Sequence, residues 1–457
     1  MAGLHRSLAA RQITRMASAR GLILLSILVY TQFFWTRTLG ILPQAVNWVD
    51  DIVVVGFGAL ALLRVPAPSR LPRTWGWALS GFVVLGIVSA FANDVPWWRA
   101  ALGFRGPLVY VPLYYAVVVA PLDETDVQRV MKALVALMLL QVPIQMVEFG
   151  LGAHENGLSF EVLGDVAPGT LGTGFSNALG FLYLPFICAS LALLLVGRDR
   201  RWLIRGGLFL VGLILCSARA ATFLLPACLL LTVALVRGFA AVFSRRGLLI
   251  LGVFLVLAAG LADAYFRLVS GSTLFEKMSP AQLVRDQMTY SPTAASRLAY
   301  YPVTWGVLTS VAASPWIGLG PGNYGSGAGY ITNAPGFNVI RDVFGQFETN
   351  RETALDSQFL ATLGEFGIAG VSLFFVVILA LARRTLMVRE GTSDEMTRAL
   401  LAAVLVGQLV FLIAAFAEYV WEDQPLSYTF WLSSALVTRL SQLRAATAGT
   451  IRRQAVS

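Results

Sequence analysis

The chain has 457 residues, of which 57% are hydrophobic and only 13% charged, and its formal charge at pH 7 is +9. Soluble globular chains are about 45–50% apolar and about 25% charged. The composition therefore excludes an ordinary cytosolic enzyme, a disordered protein and a disulfide-stapled secreted domain. With a mean hydropathy of +0.71, the chain is instead predicted to be an all-α polytopic membrane protein.

Apolar stretches long enough to cross a membrane, about 20 residues each, recur along nearly the whole chain. They predict twelve spans, at 21–43, 47–64, 75–92, 100–120, 129–150, 173–197, 202–218, 220–236, 247–266, 364–382, 398–418 and 425–441. No cleavable signal peptide is predicted, because the first apolar stretch is long and is followed at once by another span.

Basic residues are concentrated in alternate connections between these spans. If the N-terminus is cytoplasmic, the inner segments hold most of the 34 lysines and arginines. The positive-inside rule then predicts that both termini are cytoplasmic. Attraction to an anionic inner leaflet accounts for the net positive charge, so no nucleic-acid partner is expected.

One connection is much longer than the others, and it divides the chain into three parts. Residues 1–266 hold transmembrane helices 1–9, residues 267–363 form a large outer-face loop, and residues 364–457 hold helices 10–12 and a cytoplasmic tail. The loop is rich in tyrosine and tryptophan, so short helices along the membrane surface are expected. An ordered connection of this length is usually functional.

The segment 318–327 of this loop is dense in glycine, with the sequence GLGPGNYGSG. The favoured interpretation is a tight irregular loop whose glycines adopt positive φ. A P-loop is excluded because no Gly-Lys-Ser/Thr follows the glycines.

Ionisable residues that do not belong to inner connections fall almost entirely at the outer ends of spans, and such residues are functional candidates. Arg219 interrupts two apolar stretches. It either snorkels to the interface or binds an anion at a helix N-terminus, where its planar fork suits a phosphate. Arg105 precedes Pro107 at an expected helix start and has the same two interpretations. Arg297 lies in the long loop, where a solvated arginine is also ordinary.

Two carboxylates near the tenth predicted span have alternative interpretations. Asp356 is a candidate for proton transfer, or else it caps a helix, since aspartate is a favoured N-cap residue. Glu365 begins the buried part of the span and is either a supporting site residue or the partner of a nearby arginine.

Three local motifs occur in a recognisable order between about residues 173 and 385. The segment 216–221 (CSARAA) is similar to a T-G-S-R-G-A type segment, although only the arginine of the first four positions matches. Arg297, followed by Trp305 and by 314–324 (SPWIGLGPGNY), resembles an arginine and hP-L-x-G-x-G-x-G-x-F block. The segments 356–360 (DSQFL) and 363–367 (LGEFG) resemble an H-N-x-x-L…E-x-G block. In this order they resemble the O-antigen ligase and O-antigen polymerase superfamily of bacterial envelope glycosyltransferases.

The resemblance implies a GT-C-like fold in the bacterial inner membrane, with the active site on the periplasmic face. It implies metal-independent, inverting transfer of a glycan from an undecaprenyl-diphosphate carrier, with no cofactor. The donor diphosphate would be bound by Arg219 and Arg297, with Arg105 as an addition. Asp356 stands where ligases carry histidine, and a carboxylate can act as general base. This difference favours a polymerase over a ligase.

Further roles follow from the same resemblance. Supporting site residues would be Glu365, Tyr324, Tyr300 and Trp305, the aromatic ones by stacking on sugar rings. The partners would be the lipid-linked donor, a glycan acceptor, membrane lipids and a chain-length regulator protein. The alternatives are a ligase that transfers the glycan to lipid A-core or a protein, and a transporter or flippase. Against the transporter stand the scarcity of charges at mid-depth and the lack of internal repeats.

Overall fold

The computed structural model describes residues 18–64, 73–155, 167–171, 175–197, 199–216, 218–242, 300–344, 357–416 and 418–454, together with a few positions between 249 and 263. This described part is 83% helical and contains no β-strand. Its helices are α1 Ala19–Phe33, α2 Val49–Arg64, α3 Arg73–Ala92, α4 Trp97–Leu108, α5 Val111–Val119, α6 Glu124–Glu155, α7 Ser176–Gly197, α8 Arg200–Leu215, α9 Arg219–Arg237, α10 Phe239–Val242, α11 Tyr300–Ser310, α12 Gly327–Ile331, α13 Pro335–Phe344, α14 Gln358–Glu390, α15 Glu395–Ala414 and α16 Gln424–Gln454.

The chain is an all-α polytopic membrane protein. Seven of the described helices are long and apolar enough to cross a membrane, or eight if the bent pair α4 and α5 forms one span. Every predicted span except 247–266 overlaps a described helix, and most of 247–266 lies outside the described residues. The total of twelve spans therefore stays a prediction.

The predicted span 100–120 is two helices rather than one. The axes of α4 and α5 differ by 52°, and prolines lie on both sides of the break, Pro107 inside α4 and Pro112 in the first turn of α5. Proline removes a backbone donor and crowds the preceding turn, which bends a helix. The sequence-based placement of Arg105 at a helix start is wrong, because it lies in the last turn of α4.

The helix α14 is also broken, at Gly367, whose φ of 67° and ψ of −173° are non-helical. The rings of Phe359 and Phe375 lie on opposite sides of this break with centroids 5.9 Å apart. In a straight helix their positions would be roughly 24 Å apart. The segment Gln358–Phe366 therefore folds back against the rest of α14.

The core of the bundle is built around α7, the most buried of the candidate spans. Glycines let neighbouring helices approach it closely: a Cβ at Gly180 would lie 2.2 Å from the Cβ of Ala218, before α9. A Cβ at Gly212 of α8 would lie 2.4 Å from the ring of Tyr183. Small residues serve this purpose in membrane helix packing.

One end of the bundle collects the elements of interest, and we call it the site end. Gln32, at the end of α1, donates to Gln424, at the start of α16, over 2.7 Å. Phe359 N, near the start of α14, donates to Ala415 O, just after α15, over 2.9 Å. The start of α9 joins the same end through Gly180, near the start of α7.

Arginines mark the opposite end of the bundle. Arg439 donates to Leu122 O over 3.0 Å, and Arg444 donates to Thr392 over 2.6 Å. Arg237, at the end of α9, donates to Leu195 O, at the end of α7. The helices α11, α12 and α13 lie within the connection 267–363 and have 11, 5 and 10 residues. Their position at a membrane surface stays a prediction.

Candidate functional site

The segment 318–327, called here the glycine loop, docks into the break of α14. Leu319 N donates to Gly364 O over 2.8 Å, and Gly320 N donates to Glu365 O over 2.9 Å. On the other side of the break, Ile368 N donates to Pro315 O over 3.1 Å. Backbone groups that a continuous helix would pair internally are thus satisfied by the loop. The loop and the broken helix form one unit.

The conformation predicted for the glycine loop is confirmed. Gly318, Gly320 and Gly322 have φ of 73°, 94° and 70°, a region that side chains other than glycine rarely adopt. Space is also restricted, since a Cβ at Gly322 would lie 2.4 Å from Arg99 O. The loop is therefore held tightly against α4.

Two carboxylates bind the amides of the loop. Glu365 is 2% exposed; its Oε2 accepts from Gly322 N over 2.8 Å and its Oε1 from Ser326 N over 3.3 Å. Glu422, in the connection between α15 and α16, accepts from Gly327 N through Oε2 over 2.7 Å. Because they bind consecutive amides, the two carboxylates are neighbours. Among the described residues, the partners of Glu365 are backbone amides and not an arginine.

Glu422 is held from several sides. Gln358 donates to its Oε1 over 3.3 Å, while the Gln358 carbonyl oxygen accepts from the backbone amides of Trp421 and Glu422. The Cγ of Glu422 leaves no room for a side chain at Gly106, where a Cβ would lie 2.6 Å away. Desolvation by this packing raises the pKa of the Glu422 carboxyl, partly offset by the Gly327 amide, Gln358 and the charge of Arg105.

Arg105 is paired with Asp51. Its Nε and Nη2 both lie 2.5 Å from Asp51 Oδ2, and the side chain of Asp51 is 8% exposed whereas that of Arg105 is 33% exposed. The guanidinium also lies 4.2 Å from the ring centroid of Trp48, a cation–π geometry. The arginine is thus fixed by its partners while one third of its side chain stays accessible.

A second arginine of α4 contacts the glycine loop. Arg99 donates through Nη1 to Asn323 Oδ1 over 3.1 Å, while its buried Nε has no hydrogen-bond partner among the described residues. Of the two arginines of α4, Arg99 therefore contacts the glycine loop directly, whereas Arg105 is held by Asp51 and Trp48.

The predicted aromatic site residues have different environments. Tyr324 is fully buried against Gly364, and its hydroxyl donates to Thr304 over 2.8 Å. Burial raises its pKa, so it stays neutral and structural. Tyr300 is 8% exposed at the start of α11, while Trp305 is 52% exposed on the same helix. Of the three, Trp305 is the most exposed.

The remaining predicted residues are only partly described. Arg219 is the first residue of α9, and its N-cap Ala218 offers no capping side chain. Arg297 and Asp356 lie outside the described residues. The N-cap of α14 is Ser357, whose hydroxyl accepts from Leu360 N over 3.3 Å. The capping role considered for Asp356 thus belongs to its neighbour.

A polar cluster lies next to the start of α9. Gln145 donates to Cys216 Sγ over 2.9 Å and accepts from the Tyr183 hydroxyl over 2.7 Å. One turn further along α6, Glu148 accepts from Gly169 N over 2.7 Å, and its second oxygen, Oε1, is buried without a partner among the described residues. The cluster places a carboxylate close to the α9 terminus.

A small apolar groove, with a cavity volume of about 20 Å³, lies in the elbow of α14 beside Trp421. It is lined by residues from both sides of the Gly367 break and from the connection to α16, namely Gln358, Phe359, Thr362, Val371, Phe374, Phe375, Ile378, Ala415 and Trp421. One polar member, Gln358, also donates to Glu422 Oε1. This side chain therefore links the groove to the carboxylate.

Glu422 and Asp51 are site residues that belong to none of the three sequence motifs. Both were visible as ionisable residues at outer ends of spans, which is the signal that marks functional candidates in membranes. Among the described residues, no group of three or more His, Cys, Asp or Glu is placed to hold a metal ion.

No protein-family model matches the chain, and no curated protein sequence does. Any assignment of activity therefore depends on the site itself and on the short motifs.

Proposed function

We propose that this protein is a membrane glycosyltransferase that polymerises undecaprenyl-diphosphate-linked oligosaccharide repeat units, as an O-antigen or exopolysaccharide polymerase. The observation that carries the proposal is Arg105 at the site end, whose guanidinium is held by Asp51 and Trp48 while one third of its side chain stays exposed. An accessible guanidinium beside helices that are apolar enough to cross a membrane suits the anionic head of a lipid-linked substrate. The proposal includes a GT-C-like fold with twelve spans.

The distribution of arginines supports a particular orientation. Arginines that bind backbone carbonyls gather at the end opposite the site, and the positive-inside rule assigns such an end to the cytoplasm. The proposed site then faces the periplasm of the bacterial inner membrane, with both termini in the cytoplasm. Exposed tryptophans at the site end, such as Trp97, at 82%, and Trp316, at 63% exposed, suit a membrane interface.

The proposed chemistry is an inverting displacement at the anomeric carbon of the donor glycan. A hydroxyl of the acceptor glycan attacks, the bond to the diphosphate breaks, and undecaprenyl diphosphate leaves with the electron pair. Negative charge grows on the diphosphate, so guanidinium groups placed in advance stabilise the transition state more than the ground state. Arg219 and Arg297 are proposed to stabilise this charge, together with Arg105, whose side-chain contacts are described above. The motif at 356–360 points to Asp356 as the group that accepts the proton of the attacking hydroxyl.

The test is elongation in vitro by purified protein with lipid-linked oligosaccharide. Arg219→Ala, Arg297→Ala and Arg105→Ala are expected to slow elongation, because each removes charge stabilisation from the leaving group. Arg129→Ala is the matched control, since Arg129 lies in an exposed pair with Asp126 on α6. Full activity in all three site variants contradicts the assignment.

The identity of the product separates the proposal from its closest alternative. A polymerase yields a ladder of products that are still attached to undecaprenyl diphosphate. A ligase yields glycan attached to lipid A-core or a protein. A wild-type protein that moves the lipid-linked glycan across a bilayer without forming a bond would favour the transporter.

A further inference from the structure

Three of the described carboxylates near Arg105 are buried. Asp50 is completely buried, and its Oδ2 accepts from the Tyr110 hydroxyl. Asp51 is 6% exposed and is bound by two nitrogens of Arg105. Glu365 is 2% exposed, and each of its oxygens accepts a hydrogen bond from a backbone amide. Burial therefore keeps all three groups away from a ligand in the site.

Glu422 differs in accessibility and in bonding. Its side chain is partly exposed. Oε2 is occupied by the Gly327 amide at 2.7 Å, whereas Oε1 has only the long 3.3 Å contact with Gln358. A carboxylate oxygen has two lone-pair sites, so Oε1 keeps one available. The donor of that contact, Gln358, also lines the groove of α14.

We propose that Glu422 is a catalytic residue, the base that takes the proton from the attacking hydroxyl of the acceptor. This inference rests on the proposed function and moves the proton-accepting role from Asp356 to Glu422. As the hydroxyl oxygen bonds to the anomeric carbon, its proton passes to Oε1. The bond from that carbon to the diphosphate breaks at the same time, and the diphosphate leaves with the electron pair.

The charges around Glu422 suit this role. The titratable groups that face it are Arg105 on α4 and Glu365 on α14. Desolvation raises the pKa of the Glu422 carboxyl, which brings the base closer to the operating pH, where general-base catalysis is most effective. Arg105 pairs with Asp51 and is also close enough to Glu422 for its charge to act on that carboxyl, so a diphosphate bound by Arg105 would hold the anomeric carbon near the carboxylate.

The hydrogen bonds around Glu422 also hold its carboxylate in a fixed position. The Tyr419 hydroxyl donates to Gly325 O over 2.5 Å, and the Glu422 amide donates to Gln358 Oε1 over 3.2 Å. The connection that carries Glu422 is therefore tied to both the glycine loop and α14. A base must stay within hydrogen-bond reach of the proton that it removes.

The experiment compares Glu422→Gln with Asp356→Asn, and it measures elongation rate and binding of lipid-linked donor separately. Glu418→Gln is the matched control, since it makes the same charge change in the same connection. We expect Glu422→Gln to lower kcat by about 100-fold or more while donor binding stays within a few-fold of wild type. The acid limb of the pH profile of kcat/KM should disappear in this variant and persist in Asp356→Asn.

If Glu422→Gln does not fold, the same measurements are made on Glu422→Asp. This variant keeps the negative charge but moves the carboxylate back by the length of one methylene group. A lowered kcat with unchanged donor binding supports the inference, and a wild-type kcat overturns it. An active wild type with an equally active Glu422→Gln variant also overturns it, but leaves the proposed function in place. A wild-type protein that neither binds nor elongates the donor contradicts the proposed function itself.

Discussion

The rings of Phe359 and Phe375 lie 5.9 Å apart, although they belong to one helical element whose straight form would separate them by roughly 24 Å. Phe416 completes the contact, with its ring 4.6 Å from Phe359. The fold-back creates both the elbow that becomes the groove and the break that receives the glycine loop. The geometry of the site thus depends on one backbone position, Gly367.

Substitution of Gly367 by alanine tests that dependence. Its φ and ψ fall in a region reserved almost entirely for glycine, which costs other residues about 1–3 kcal/mol. A Cβ there would also lie 2.5 Å from the carbonyl oxygen of Trp316. We therefore expect Gly367→Ala to lower the apparent melting temperature in detergent and to abolish activity. Gly207→Ala is the control, since a Cβ at Gly207 in α8 meets nothing within 4 Å. Equal melting temperatures for both variants would contradict the fold-back.

The Arg105–Asp51 pair should show the energetics of a partly buried ion pair. Removing one partner of a buried pair strands the other charge, at a cost of about 3–5 kcal/mol, reduced here because Arg105 is 33% exposed. We expect Arg105→Ala to destabilise the protein more than the double variant with Asp51→Asn, which leaves no stranded charge. Thermal unfolding of the single and double variants measures this difference. Arg129→Ala should have little effect, since exposed pairs contribute about 0–1 kcal/mol.

Because the pKa of Glu422 is raised in the folded state, the free energy of unfolding is predicted to depend on pH. A free glutamate has a pKa of about 4.3, and the folded value is higher because of desolvation. Below the free value both states are protonated and the residue has no effect. As pH rises through the folded value, the folded state resists ionisation and stability is lost. Melting temperatures of wild type should therefore fall relative to Glu422→Gln as pH rises from about 4. Parallel curves for the two proteins would refute the raised pKa.

Much of the fold could be predicted from the sequence because membrane-spanning helices must be apolar over their whole length. The breaks could not be placed in the same way. Hydropathy through 100–120 and 364–382 is continuous, and the bends depend on the paired prolines near Tyr110 and on Gly367, whose conformations are decided by packing. The positive φ angles of the glycine loop could be predicted, because glycine is the residue that adopts this conformation most readily.

The candidate site was less predictable, because its contacts join residues that are distant in the chain. Glu365 was identified from a motif, but its partners, the amides of Gly322 and Ser326, follow only from the docking of the loop. Glu422 belongs to no motif, and its proximity to Arg105 arises because α4, α14 and the α15–α16 connection meet at one end of the bundle. The roles of Arg219, Arg297 and Asp356 stay predictions of the sequence alone.

The groove itself can be tested by filling it. Val371 lines the groove and is 8% exposed, whereas Val376, on the same helix, is 46% exposed on the outer surface of the bundle. Val371→Phe is expected to raise KM for a donor with a full-length polyprenyl chain, because the added ring occupies the space of the chain. KM for a donor analogue with a short chain should change much less. An extra ring in a packed site costs about 1–3 kcal/mol, so folding is checked by thermal unfolding.

Val376→Phe provides the matched comparison, because it adds the same ring to the same helix outside the groove. Its KM values for both donors are expected to equal those of wild type. If Val371→Phe and Val376→Phe change the two KM values alike, the groove does not hold the lipid chain. If only Val371→Phe discriminates between long and short chains, the apolar elbow of α14 is where the carrier lipid binds, since no general loss of stability would depend on the length of the donor's tail.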